Sequence, residues 1–103
     1  MSRDELIKSF SALAKSQEAL GKQAVEAYKQ PVEHILRIKS QDVEAIERLL
    51  EGMPDFCFND DILLLYRKLC RHFFDIDPQA TAYYVYAYRD RWDAKSEDEQ
   101  EGK

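Results

Sequence analysis

An all-α fold is predicted: a long N-terminal heptad helix followed by a compact bundle of three or four shorter helices. Three observations point there. Strong helix formers make up 53 of the 103 residues, while β-branched residues number 11, against three Gly and three Pro. Apolar residues recur every third or fourth position through most of the chain. The helix punctuation is also in place, with polar caps before several of the periodic runs.

The first element is expected over residues 3–29. Ser2 followed by Glu5 has the spacing of a capping box. Leu6, Leu13, Leu20 and Ala27 then fall at heptad position d, with Phe10, Gln17 and Ala24 at a. Lys8, Lys15, Lys22 and Lys29 fall at f, which reads as a solvated outer face. Gly21 costs ~1 kcal/mol relative to Ala inside a helix and marks a candidate break. Pro31 is expected to end or kink the helix. Residues 32–38 follow as a short helix or a kinked continuation.

A third helix is expected over 41–51, with Ser40 as its cap and Val43, Ile46, Leu50 and Met53 on one face. Gly52 suits the left-handed position just past its end. Met53–Phe58 reads as a loop whose two aromatics fold back on the core. The next helix, 60–76, is capped by Asn59 or Asp60 and buries Ile62, Leu65, Tyr66, Leu69, Phe73 and Ile76. Asp77 before Pro78 signals the start of the last helix, 78–93. There Thr81, Tyr84, Val85, Tyr88 and Trp92 line up at helical spacing, although the alternating Tyr residues also fit a strand. Residues 1–94 read as a single helical domain, and the apolar-free stretch 95–103 as a disordered acidic tail.

Charge narrows the function classes. The net charge is −5, and seven carboxylates between Asp42 and Asp61 face the lone Arg48. Sequence-independent nucleic-acid binding needs a cationic footprint, which this balance disfavours. The longest apolar runs are far too short for a bilayer, and no apolar stretch in the first twenty residues resembles a signal peptide. A cytoplasmic protein is expected.

Catalytic and metal chemistry is thinly provisioned. Cys57, Cys70, His34 and His72 are the only soft ligands, and Cys70 and His72 point about 200° apart on one helix. Asp75 and Asp77 fail as a calcium loop, since Ala80 and Tyr86 stand where Gly and Glu are needed. Glu44, Glu47 and Glu51 lack the Glu-x-x-His partner of a di-metal bundle and read as a solvated acidic face. No cofactor, metal or enzymatic activity is expected.

What remains is interaction. The leading expectation is a non-catalytic protein–protein interaction module that forms a homodimer through Leu6, Phe10, Leu13, Gln17 and Leu20, although the same seam also fits packing within one chain. A protein partner is expected at Tyr83, Tyr86 and Leu64, apolar residues on otherwise polar helix faces. The alternative is an accessory protein that contacts nucleic acid through Arg67, Lys68, Arg71 and His72, a face already offset by Asp60, Asp61 and Asp75.

Overall fold

The computed structural model describes residues 2–92. Four α-helices run in the order α1 (Arg3–Ile38), α2 (Val43–Gly52), α3 (Asp60–Phe74) and α4 (Pro78–Trp92), with a 3-10 helix at Met53–Phe56. The expected all-α architecture is present. Asp93 and the tail 95–103 lie outside the described residues.

Of the two readings of residues 32–38, a separate short helix and a continuation of the first, the structure has the continuation. Residues 3–29 and 32–38 belong to the continuous helix α1, which carries Pro31 inside it. The reason is local. Pro31 and Ala27 are both on the exposed side, so water can serve the carbonyl of Ala27 that the proline ring leaves without its helical donor. Val32 and Ile35 anchor the following turn in the core. At 1.5 Å per residue, 36 residues give about 54 Å, which matches the longest dimension of the molecule. One helix therefore sets its length.

The turn after α1 departs from the expected punctuation. The left-handed residue is Lys39 (φ 52°), whose N–H donates to the carbonyl of Ile35. Gly52 is instead right-handed and helical, with φ −88°. Its lack of a side chain serves packing, because a Cβ there would collide with Tyr28 Oη. Asp42, not Ser40, caps α2 by accepting from Ala45 N at 3.2 Å. Ser40 Oγ accepts from Asp42 N at 3.2 Å and so supports the cap from outside the helix. Asn59 Oδ1 caps α3, accepting from Asp61 N and Ile62 N at 2.9 and 3.2 Å. That helix ends at Phe74, two residues before the expected Ile76. Asp77 then starts α4, accepting from Ala80 N at 3.0 Å.

The core gathers where all the elements meet. Val32, Ile46, Leu50, Met53, Ile62, Leu69 and Phe73 are wholly buried. The Met53–Phe58 segment is ordered as a helical turn, and both its aromatics do fold inward. Phe56 lies 6.2 Å from the ring of Tyr28, and Phe58 lies 6.4 Å from that of Trp92. Segment 78–92 is a helix, with Thr81 and Tyr84 buried and Tyr88 half-buried. Val85 and Trp92 stand at the rim, where the Trp92 indole N–H donates to the carbonyl of Pro54 at 2.9 Å.

Candidate functional site

The N-terminal half of α1 has no counterpart among the other described residues. Its start is well made: Ser2 Oγ accepts from Glu5 N at 3.3 Å, and the Glu5 carboxylate accepts from Ser2 N at 3.4 Å. Yet every residue from Ser2 to Leu20 is exposed. Leu6, Phe10, Leu13 and Leu20 keep 46, 63, 64 and 49% of their surface in water, and Ile7 keeps 56%. Burial begins at Gly21 and continues through Ala24, Val32 and Ile35. Gly21 marks no break; it is the place where Asn59 rests against α1, and a Cβ there would lie 2.8 Å from Asn59 Nδ2. The self-association residues of the sequence reading thus share one free helical face.

The aromatic and Leu residues assigned to a partner are exposed but dispersed. Leu64, Tyr83 and Tyr86 keep 51, 69 and 60% of their surface. Tyr83 stacks edge-on against Tyr84 with ring centres 5.1 Å apart. Tyr86 lines a shallow cleft between α3 and α4, together with Phe74, Pro78, Val85 and Arg89. Leu64 is on the outward side of α3, at helical spacing from Lys68.

The cleft itself was not read from the sequence. A neighbouring apolar pocket of about 300 Å³ is lined by Leu63, Tyr66, Cys70, Val85 and Tyr88, with Arg67 and Arg89 at its edge. Leu63, Cys70 and Phe74 recur at steps of seven and four, which puts them on one stripe beside the core stripe of α3. That spacing was the available signal.

The basic face is only partly available. Arg67, Lys68 and Arg71 are exposed, but His72 is half-buried and its Nε2 lies 2.6 Å from the carbonyl of Ser40. That contact pins the α1–α2 turn to α3. The acidic face is likewise partly structural. Tyr84 Oη donates to Glu47 and Glu51 at 3.2 and 3.3 Å, whereas Glu44 pairs with Arg48 at 3.8 Å.

Neither thiol is poised for reaction. Cys57 and Cys70 are free and buried. Burial pushes the Cys57 thiol up to about 12, with the neighbouring Cys70 adding to the shift and Arg91 opposing it. Burial pushes Cys70 up to about 11. A nucleophilic or metal-binding cysteine needs the opposite shift. Among the described residues, no three His, Cys, Asp or Glu side chains are grouped so that they could hold a metal ion. No helix among them is long and apolar enough to cross a membrane. Compared with family models, with curated proteins and with solved structures, the chain finds no match in any of the three.

Proposed function

We propose that the chain is a non-catalytic, cytoplasmic protein–protein interaction module that self-associates through the N-terminal half of α1. One observation carries this reading: Leu6, Phe10, Leu13 and Leu20 recur at heptad spacing on a helix segment that no other element among the described residues covers. An isolated helix of this length is marginal in water, and its stability comes from burying an apolar face. The capping box and the seam together supply a segment that is ready to pair. Exposed apolar faces of this extent mark association sites in soluble proteins. Nucleic acid has no part in this reading, since His72 is engaged with Ser40 and Asp75 flanks Arg71.

Sedimentation equilibrium from about 1 to several hundred micromolar tests it. The expected result is a reversible dimer that Phe10→Ser/Leu13→Ser abolishes while the thermal midpoint of the dilute protein holds. A wild-type monomer throughout that range overturns the reading.

A further inference from the structure

The free face of α1 is continuous with the face that its C-terminal half buries. From Leu6 through Phe10, Leu13 and Gln17 the stripe steps by three or four residues to Gly21, and by the same steps to Ile35. The body of the protein occupies that stripe from Gly21 onward, beginning with Asn59. This continuity decides the direction in which two copies can pair. In a parallel pair both bodies would arrive at the same end, each on the side of its helix that faces the other. They would compete for one space. An antiparallel pair sends the bodies to opposite ends.

We infer that the chain forms a two-fold antiparallel dimer through residues 3–20 of α1, a geometry that rests on the self-association proposed above. The register follows from the free length. Antiparallel seams pair an a residue with a d residue. The pairing that uses the whole free segment sets Phe10 against Leu13 of the second copy, Leu6 against its Gln17, and Arg3 against its Leu20. Sliding by one heptad in one direction drives Leu6 against Ala24, which is already buried. Sliding in the other leaves Gln17 and Leu20 uncovered. In the favoured register the large Ile7 at position e lies near Ala14 of the second copy. The other flanking positions, Ser9 and Ser16, are small and uncharged, so the helices can approach closely.

Charge fits the same arrangement. Arg3 and the positive end of α1 arrive beside Leu20 and Gly21 of the second copy, next to Asn59 and the exposed Asp60 and Asp61 that follow it. Asp4 and Glu5 fall at b and c, on the outer side of the pair. The exposed apolar side chains of two copies amount to an interface on the order of 1,000 Å², at the lower edge of stable association.

Disulfide trapping separates this geometry from its alternatives. Chains carrying Leu6→Cys and Gln17→Cys are prepared separately with different tags, then mixed in a glutathione buffer. The wild-type chain, whose two thiols are buried, serves as the blank. The expected result is a cross-link between the two variants at least tenfold above that of either variant alone. A Leu6→Cys chain that links to itself overturns the antiparallel geometry and leaves self-association standing. A dimer in sedimentation with neither cross-link overturns the register and leaves self-association standing. A monomer in sedimentation overturns self-association and the geometry together.

Discussion

The hydroxyl of Tyr66 donates to the backbone carbonyl of Tyr84 at 2.8 Å, joining the middle of α3 to the middle of α4. Both residues are buried, and Phe73 lies 6.4 Å from the Tyr84 ring. The buried Tyr66 hydroxyl is thus satisfied by the backbone of the facing helix. Tyr66→Phe removes the donor and keeps the ring, which also lies 5.9 Å from that of Tyr88. It should cost about 1–2 kcal/mol, the usual net effect of a lost buried hydrogen bond. A thermal melt should show the midpoint down by roughly 5–10 °C. An unchanged midpoint would mean that the bond adds nothing to stability.

Gly21→Ala sets helix propensity against packing. Alanine gains about 1 kcal/mol in a helix interior. Its Cβ would lie 2.8 Å from Asn59 Nδ2, and that side chain cannot easily move because Oδ1 is holding two backbone N–H groups of α3. Either α1 shifts or the cap is lost, and a lost cap costs about 1 kcal/mol by itself. Overpacking at this buried contact costs about 1–3 kcal/mol, so after the propensity gain of about 1 kcal/mol the net effect should be destabilising by about 0–2 kcal/mol in urea denaturation. A gain in stability would show that Asn59 yields freely.

Lys39→Gly should act in the opposite direction. Lys39 is the one positive-φ residue among those described. The left-handed region costs a residue with a Cβ roughly 1–2 kcal/mol, part of which glycine recovers after its larger unfolded-state entropy is deducted. The midpoint should rise by the equivalent of about 0.5–1 kcal/mol. A fall would indicate that the Lys39 side chain makes a stabilising contact of its own.

Alkaline pH should unfold the protein early. Cys57, Cys70, Tyr66 and Tyr84 are all shifted upward, each chiefly by burial. The neutral form of each is favoured in the folded state. Unfolded thiols ionise near 9.0, while burial makes Cys57 and Cys70 hold their protons to about 12 and 11. Stability is fully present below pH 9 and is lost as pH rises through the interval above it. The thermal midpoint should fall between pH 8.5 and 11, and less steeply in Cys57→Ala/Cys70→Ala. Equal slopes in the two proteins would exclude the thiols as a cause.

What the sequence disclosed depended on whether a feature was local. The capping box at Ser2, the Asn59 cap and the buried face of α3 are each set by spacing within one helix, and all three are present. Pro31 left a separate helix and a continuation both open, because the cost of proline depends on which side of the helix it faces. Ser40 misled because two polar residues two positions apart competed, and Asp42 makes the cap. Gly52 looked like a stop signal, but its smallness answers to Tyr28, 24 residues away, which no spacing rule reveals. The α3–α4 cleft is a property of two helices at once. Its residues were visible singly and its existence was not.

The tyrosines of α4 offer a test of both structure and interaction. Tyr84 is 5% exposed, with its hydroxyl on Glu47 and Glu51, whereas Tyr83 and Tyr86 keep most of their surface in water. Tyr84→Ser should therefore cost about 3–5 kcal/mol, as deletion of a large buried aromatic does. Tyr83→Ser/Tyr86→Ser should leave the monomer's midpoint within about 0.5 kcal/mol of wild type, the range of exposed substitutions. In the antiparallel arrangement, α4 lies outside the α1 seam, so the double variant should also dimerise with unchanged affinity in sedimentation. Capture of a protein partner at the cleft containing Tyr86, Phe74 and Val85 is the property it should weaken. Interfacial tyrosines commonly contribute more than about 1 kcal/mol each, which corresponds to at least a tenfold loss for the pair. If the double variant melts as early as Tyr84→Ser, these rings are part of the core. If it instead abolishes the dimer while Phe10→Ser/Leu13→Ser does not, the self-association surface is α4.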